Sequence, residues 1–241
     1  MNGLFGRLAL LAAIAAAVLV GAAGPAYRFG YAELPMAFNL MTWGVYAAGG
    51  AGALGALWIV FALLGRSASG FGALLLALVI AGAAAYMPIN MRMTAAKLPL
   101  IHDITTDTAN PPKFVAIAPL RVGLENGTDY ATDPAEQLKG YPDIVPLVTV
   151  MHASDLFKNA LARARDMGWE IVAAVPEEGR IEATDTTPWF GFKDDIVIRI
   201  VAETENSSRL DIRSMSRVGK SDLGKNAERI RKFLAAVKEA K

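Results

Sequence analysis

The chain has 241 residues, of which 24 are basic and 23 acidic, and it contains no cysteine. The near balance of charge argues against a nucleic-acid-binding protein, because such proteins normally present net positive charge to the phosphate backbone. The lack of cysteine excludes disulfides, thiol catalysis and thiolate metal sites.

Charged side chains are distributed unevenly along the chain. Residues 1–88 hold four of them, Arg7, Arg28, Glu33 and Arg66, and all the others lie in residues 89–241. A segment so poor in charge suits lipid, whereas the remainder suits water. We therefore expect a three-helix transmembrane domain in residues 1–88 and a soluble domain in residues 89–241.

Three apolar stretches, at about residues 4–23, 40–64 and 71–87, are each long enough to cross the roughly 30 Å hydrocarbon core as a helix. The third is expected to stop at Pro88, and the short link 65–70 predicts a hairpin of the second and third helices. The first stretch also resembles a cleaved signal peptide, but the two spans that follow favour a retained helix. The spans lack acidic residues, which argues against an ion or proton pathway.

The second stretch carries a stripe of small residues, Gly44, Ala48, Gly52 and Ala56. Small side chains let helix backbones approach closely in lipid. The stripe indicates either packing within the three-helix bundle or docking to another membrane protein. Three spans place the chain ends on opposite sides of the bilayer. The positive-inside count is nearly tied, and we expect the N-terminus inside and the soluble domain outside.

The soluble part begins with a segment rich in proline, so residues 89–145 are expected to be mostly extended chain and turns. Strands are predicted at 147–151, 169–175, 180–185, 195–203 and 209–215, and Ile196, Ile198 and Ile200 alternate with polar positions as in a half-buried strand. A helix capped by Ser154 is predicted to end at Gly168, and another covers 221–239. This order predicts an α+β fold, an antiparallel β-sheet with two helices packed on one face.

The connection between the last strand and the last helix is the first candidate site. Arg213 and Arg217 share one strand face and precede the free amides of the helix start, an arrangement that suits an anion. The alternative is structural: Ser221 or Asp222 caps the helix, and the arginines pair with Asp211, Asp185 or Asp194. Gly219-Lys220-Ser221 resembles the end of a phosphate-binding loop, but Ser214 stands where that loop needs glycine, so nucleotide hydrolysis is not expected.

The loop from Asp185 to Asp195 is the second candidate site. It contains Trp189, Phe190 and Phe192 together with Lys193. The aromatic rings either fold inward or line a ligand cleft, a membrane contact or a partner contact. The carboxylates do not have the spacing of a calcium loop. We expect no metal site and no cofactor.

Sequence motifs resemble those of the family catalogued as domain of unknown function 1499. The motifs are Ile-Thr-Thr-Asp at 104–107, Asn-Pro-Pro at 110–112, Gly-Trp-Glu at 168–170, Ala-Thr-Asp-Thr-Thr at 183–187, Gly-Phe-Lys-Asp-Asp at 191–195 and Arg-Ser-Met-Ser-Arg-Val-Gly-Lys-Ser-Asp-Leu-Gly at 213–224. The resemblance covers about residues 100–238. The family occurs in bacteria and in photosynthetic organelles, often behind a signal sequence or membrane helices, which favours an envelope location. Together with the three apolar spans, it leads us to expect a multi-pass protein of the bacterial inner membrane with a periplasmic domain. The resemblance implies no activity and no catalytic residues.

Our first hypothesis is a membrane-anchored, non-enzymatic domain that binds a partner protein or an anionic or amphiphilic ligand. The predicted ligand-binding residues are Arg213, Arg217, Ser221, Asp222, Lys193, Asp185 and Trp189. One alternative is an accessory subunit of a larger membrane complex, with Gly44, Ala48, Gly52 and Ala56 as the contact. The other is an envelope hydrolase, which would require His102, Asp107 and Ser214 to lie together. No catalytic residue is assigned from the sequence.

Overall fold

The computed structural model describes residues 2–64 and 69–239. These residues form two compact units. The helical unit contains the described residues up to Ala96 and the short segment Trp189–Gly191. The α+β unit contains Lys97–Pro188 and the described residues from Phe192 onward.

The helical unit consists of α1 (Asn2–Arg28), α2 (Leu34–Leu63) and α3 (Phe71–Ala95). All three are long and apolar enough to cross a membrane, as predicted. The predicted end of the third helix at Pro88 is wrong, since α3 continues through it to Ala95. A proline removes one backbone N–H from the ladder, and neighbouring helices and local adjustments let transmembrane helices tolerate this loss. Residues 65–68 of the predicted hairpin link lie outside the described residues.

Close backbone approach holds α1 and α2 together. A Cβ atom placed on Gly44 would lie 2.5 Å from Val20 Cγ2 and 3.1 Å from the Ala16 carbonyl oxygen. Four alanines of α1 that face this bundle are fully buried: Ala9, Ala13, Ala16 and Ala23. The helices therefore pack through small residues, as expected where lipid supplies no hydrophobic drive for association.

The predicted small-residue stripe only partly coincides with the packed face of α2. The buried residues of α2 alternate steps of three and four along the chain: Ala37, Met41, Gly44, Ala48, Ala51, Gly55 and Trp58. A strict spacing of four advances about 40° per step around an α-helix. Consequently Gly44 and Ala48 are buried, whereas Gly52 is half-buried and Ala56 is exposed.

The α+β unit is built on an antiparallel sheet of six strands, which confirms the predicted fold class. The strands are β1 (Asp103–Thr105), β2 (Leu147–Thr149), β3 (Glu170–Val175), β4 (Arg180–Thr186), β5 (Lys193–Thr204) and β6 (Ser207–Ser216). Their spatial order is β1-β6-β5-β4-β3, and β2 also pairs with β6. The helices are α4 (Pro134–Gly140), α5 (Ala153–Asp166) and α6 (Lys225–Glu239).

The proline-rich segment contains two short elements. The three-residue strand β1 agrees with the expected extended chain, whereas α4, a helix of seven residues, was not expected. Gln137 of α4 is buried. Its Oε1 accepts from Thr105 N at 3.0 Å and its Nε2 donates to Thr105 O at 2.7 Å. The side-chain amide thus makes the two hydrogen bonds that a neighbouring strand would make. The side chain therefore satisfies backbone groups at a sheet edge. In addition, α5 begins after His152 rather than with a Ser154 cap, and α6 begins at Lys225.

The two faces of the sheet have different chemistry, because successive strand residues point to opposite sides. The apolar face packs against α5 and α6 and forms the main core, with Ile181, Ile196, Ile198, Leu210, Ile212, Leu156, Ile230 and Phe233. The opposite face, which we call the charged face, bears the buried side chains of Glu182, Asp195, Asp211 and Arg213. Residues 106–133, the cover segment, contribute many of their partners.

Candidate functional site

Arg213 is held at the centre of the charged face. Its Nε and Nη2 donate to the two carboxylate oxygens of Asp103 at 2.9 and 2.8 Å. The same guanidinium donates to the carbonyls of Pro112 (3.3 Å) and Thr128 (3.0 Å) in the cover segment. It also lies 4.9 Å from the ring centre of Phe114. Both charged groups are buried. The bonds from Arg213 to the two carbonyls fasten the cover segment to the sheet.

Asp195 forms a second buried centre, between two arginines. It accepts from Arg121 Nη1 at 2.7 Å and from Arg217 Nε and Nη2 at 2.9 and 2.8 Å. The Thr184 hydroxyl donates to it at 2.8 Å. Burial lowers the pKa of Arg121, and the hydrogen bond to Asp195 offsets part of that effect. Of the two guanidinium groups that bond Asp195, that of Arg121 is buried and that of Arg217 is partly exposed to solvent.

Glu182 connects the cover segment to β4 in a different way. Its carboxylate accepts from the backbone N–H groups of Ala116 at 2.9 Å and Ile117 at 2.8 Å, and it pairs with Arg180. Burial lowers the pKa of Arg180, but hydrogen bonds to Glu178 and Glu182 outweigh it, so that pKa is raised. The anion therefore satisfies amides of the cover segment that would otherwise be buried without partners.

The remaining charges of this face form a balanced cluster of two arginines and two aspartates. Arg209 Nη2 donates to Asp107 at 2.8 Å and to Asp211 at 3.0 Å. Arg199 Nη2 donates to the same two carboxylates at 3.1 and 2.9 Å. Because the charges cancel within the cluster, it offers no excess charge to a ligand.

A polar cluster at one end of the apolar face joins α6 to the sheet. Arg229 donates to Asp185 at 2.9 Å and to Asp194 at 2.7 Å. It also donates to Asn226 Oδ1 at 2.6 Å and to Ser214 Oγ at 3.1 Å. Burial lowers the pKa of Arg229, but Asp194 and Asp185 outweigh it and the pKa is raised. Arg229 therefore stays charged and positions the helix.

The start of α6 is capped as the structural alternative predicted. Asp222 accepts from Gly224 N and Asn226 N, both at 2.8 Å. Ser221 Oγ accepts from Leu223 N at 3.3 Å. Burial raises the pKa of the Asp222 carboxyl, and the two backbone hydrogen bonds counteract part of the shift. The free amides that were considered for an anion thus have side-chain acceptors.

Within the α+β unit, the predicted ligand-binding residues are divided between the two faces of the sheet. Arg213 bonds Asp103 and Arg217 bonds Asp195 on the charged face, so the expected pairing of these arginines with Asp211, Asp185 or Asp194 is wrong. Asp185 instead bonds Arg229 on the other face. Lys193 is exposed, and Trp189 belongs to the helical unit. Whether any of these residues binds a ligand stays a prediction. Sequence reasoning missed Arg121, Asp103 and Glu182 as buried groups, because charges in proline-rich or alternating segments are normally exposed.

Within the helical unit, the segment Trp189–Gly191 packs by aromatic contacts. Phe190 is buried, and its ring centre lies 6.1 Å from that of Tyr27 and 5.8 Å from that of Phe38. Trp189 Nε1 donates to the Gly21 carbonyl at 3.3 Å. For Phe190 the inward-folding alternative therefore applies.

The grouping required for a hydrolase does not form. Asp107 bonds arginines of the charged face, whereas Ser214 bonds Asn226 and Arg229 of α6 on the apolar side. His102 contributes its carbonyl to Asn226. Among residues 2–64 and 69–239, no cluster of three or more His, Asp or Glu side chains is arranged to hold a metal ion.

A cavity of about 320 Å³ lies between β2 and the facing ends of α5 and α6. It is an open cleft whose wall mixes apolar side chains with polar atoms, and its one charged side chain is the exposed Lys238. The lining consists of Leu147, Val148, Thr149, Met151, Leu156, Val237 and Lys238. A cleft of this size that combines apolar side chains with a cation suits a small amphiphilic ligand.

Comparison with known families agrees with the extent of the α+β unit. The family model described as protein of unknown function (DUF1499) matches residues 103–237, from the first residue of β1 to the last turns of α6. No curated protein matches the chain. Because the family model covers more than half of the 241 residues, the chain belongs to the DUF1499 family.

Proposed function

We propose that this chain is a multi-pass protein of a bacterial inner membrane whose periplasmic α+β unit binds an anionic amphiphile without catalysis. The cavity beside β2 carries the proposal, because most of its lining residues have apolar side chains and Lys238 supplies one cation. A fatty-acid-like molecule has the matching chemistry, with an acyl chain for the wall and an acidic head for the lysine.

The charged groups of the α+β unit support a structural role for the rest of the domain. Arg121, Arg213 and Arg229 donate to carboxylates and other acceptors of the same domain. Removing such a partner leaves a buried charge without compensation, which is costly. A ligand that took these arginines would have to replace their present partners, whereas the cavity is already open.

The test is binding of a dansyl-labelled fatty acid to the full chain in nanodiscs, corrected with empty nanodiscs. Thr149→Glu places an acid in the wall of the cavity, because Thr149 lines it from the same side of β2 as the core residue Leu147, and Lys238→Gln removes the cation. We expect Thr149→Glu to abolish saturable binding and Lys238→Gln to weaken it. The corresponding fatty alcohol should bind the wild-type chain more weakly than the acid, because it lacks the charge that pairs with Lys238.

Val145→Glu is the control, because Val145 is an exposed residue near β2 that does not line the cavity. It should bind the probe as the wild type does. Equal saturable binding by Thr149→Glu and wild type would reject the cavity as the site. No saturable binding by wild type would reject fatty acids as the ligand class.

The periplasmic placement has a separate test in intact cells. The chain has no cysteine, so Asn206→Cys in the exposed β5–β6 turn gives a single thiol. We expect a membrane-impermeant maleimide to label it without lysis. Labelling only after lysis would place the α+β unit in the cytoplasm, and it would leave the cavity proposal unaffected.

The second candidate function is that of an accessory subunit in a larger membrane complex. Its motivation is the part of the stripe that the bundle leaves uncovered, Gly52 and Ala56. A Cβ on Gly52 would meet no described atom within 4 Å. Gly52→Leu should therefore leave the bundle intact but dissociate a partner on native gels of mild-detergent extracts. An unchanged complex, or no complex with wild type, contradicts this candidate.

A further inference from the structure

Residues 119–124 reverse the usual distribution of apolar and charged side chains. Arg121 is 2% exposed, whereas Leu120 is 52% and Val122 is 82% exposed. Leu124 is also exposed. We call the three aliphatic side chains, Leu120, Val122 and Leu124, the apolar tip. A contiguous set of exposed aliphatic side chains commonly marks an interaction surface.

Hydrogen bonds of the buried Arg121 fix the backbone that carries the apolar tip. Besides its pair with Asp195, this guanidinium donates to the Ser216 carbonyl at 3.0 Å and to the Gly127 carbonyl at 2.8 Å. Asn126 adds a hydrogen bond from Nδ2 to the Gly219 carbonyl at 3.0 Å. The aliphatic side chains are therefore presented by an ordered platform, which reduces the entropy lost when they are buried.

Exposed lysines accompany the apolar tip at the same end of the sheet. Asn126 N donates to the Arg217 carbonyl at 3.2 Å, and Arg217 N donates to the Lys193 carbonyl at 3.0 Å. These bonds place residues 121–127 beside the first residue of β5 and the chain after β6. Lys193 and Lys220 are both exposed there, against one exposed carboxylate, Glu125, which accepts from Gly219 N. Aliphatic side chains with nearby lysines match an anionic lipid surface, because the chains enter the acyl boundary while the ammonium groups meet phosphates.

Chain connectivity limits how far this end of the α+β unit can move from the bilayer. Seven residues separate the end of α3 from β1, and such a stretch spans at most about 25 Å. Lys193 is two residues from Gly191, which belongs to the helical unit. A surface tethered so closely to three membrane-spanning helices meets lipid at high effective concentration.

We propose that the apolar tip inserts into the headgroup–acyl boundary of the bilayer that holds α1–α3. It gives the α+β unit a second, non-covalent attachment to the membrane besides its peptide links. The inference goes beyond the proposed amphiphile binding and does not depend on it, because the cavity residues lie elsewhere on the domain, between β2 and the ends of α5 and α6.

The test uses one environment-sensitive probe on the full chain. Val122→Cys gives a single thiol that is labelled with an NBD fluorophore in nanodiscs of phosphatidylethanolamine and phosphatidylglycerol. Because Val122 is so exposed, the change leaves the core intact. We expect blue-shifted emission and loss of most of the fluorescence when lipids with doxyl-labelled acyl chains are included.

The matched control is Val150→Cys, another strongly exposed valine. It follows β2, which pairs with Ser208–Leu210 near the β5–β6 turn at the opposite end of the sheet. Its probe should emit as in water and resist the doxyl lipids. Water-like emission from the Val122 probe overturns the proposal. A blue shift without doxyl quenching also overturns it, because protein rather than lipid would then cover the tip.

Discussion

The two faces of the sheet in the α+β unit are stabilised by different interactions. On the apolar face, isoleucine and leucine side chains pack against α5 and α6 without directional requirements. On the charged face, each buried guanidinium meets a specific carboxylate, as in the pair of Arg213 with Asp103. Burial of apolar area depends on volume, whereas a buried ion pair depends on the presence and geometry of both partners.

This difference explains why the charged face is a poor candidate for ligand exchange. Its arginines already have their acceptors within hydrogen-bond distance. Binding of a ligand would therefore yield only the difference in free energy between the new hydrogen bonds and those that it replaces. The apolar face, by contrast, ends in an open cavity beside β2. This contrast predicts that substitutions on the two faces lower the free energy of unfolding by different amounts.

The largest effect is expected on the charged face. Asp103→Ala leaves Arg213 buried without its carboxylate and should lower the free energy of unfolding by about 3–5 kcal/mol. Urea unfolding in detergent, followed by the fluorescence of Trp169, measures it. Trp169 reports on the α+β unit, because the other three tryptophans belong to the helical unit.

The double variant Asp103→Ala with Arg213→Met is the control for that result. Removing both charges eliminates the uncompensated one, so the double variant should be more stable than Asp103→Ala alone. Equal or greater destabilisation of the double variant would show that geometry, and not charge pairing, dominates this face.

On the apolar face, we expect the loss of stability to increase with the side-chain volume that a substitution removes. Ile198 is fully buried in the main core, so Ile198→Val should cost about 0.5–1.5 kcal/mol and Ile198→Ala about 2–5 kcal/mol. The same urea measurement applies. A loss that does not follow the removed volume would contradict the assignment of this face to apolar packing.

The buried carboxylate of Asp222 makes the stability of the α+β unit depend on pH. Burial raises its pKa in the folded state. The folded protein therefore retains this proton to higher pH than the unfolded chain, and stability falls as pH rises from about 4 through the raised pKa. Asp222→Asn retains an acceptor for capping and does not titrate. Its stability relative to wild type should rise from pH 4 to pH 7, and a relative decrease would contradict the assignment.

The smallest effect is expected for the surface carboxylate of Glu228, whose shift has the opposite sign. Hydrogen bonds from Lys225 and Lys232 lower its pKa to about 2. The stabilisation is fully present above the unfolded pKa of about 4.3 and is lost as pH falls through 2. Helical pairs of this kind contribute about 0.2–0.5 kcal/mol each, so the pairs with Lys225 and Lys232 together contribute about 0.4–1 kcal/mol. Glu228→Gln should lose that amount at neutral pH, and a loss that persists at pH 2 would rule out the ion pairs as its cause.

Periodic segments were predictable from the sequence to within a few residues. Alternation around Ile196, Ile198 and Ile200 correctly predicted β5, and the 3.6-residue pattern predicted α5 and α6. The short strand β1 and helix α4 were not predictable, because neither is long enough to show a period. Their positions depend on tertiary contacts such as the pairing of Gln137 with Thr105.

The location of the charged residues was less predictable. Arg213 alternates with apolar positions in a strand, which is the pattern of a half-exposed sheet, and sequence alone does not indicate that residues 106–133 cover that face. The cavity also joins residues from β2, α5 and α6, which are up to about 90 positions apart in sequence. A site of this kind has no local motif.

Binding of the dansyl-labelled fatty acid by two variants tests the central claim most directly. Arg217→Ala removes the most accessible of the arginines predicted from sequence to bind a ligand, and Thr149→Glu blocks the cavity. The present account predicts wild-type affinity for Arg217→Ala and loss of saturable binding for Thr149→Glu. Loss of binding in Arg217→Ala with normal binding in Thr149→Glu would place the ligand on the charged face and contradict the account.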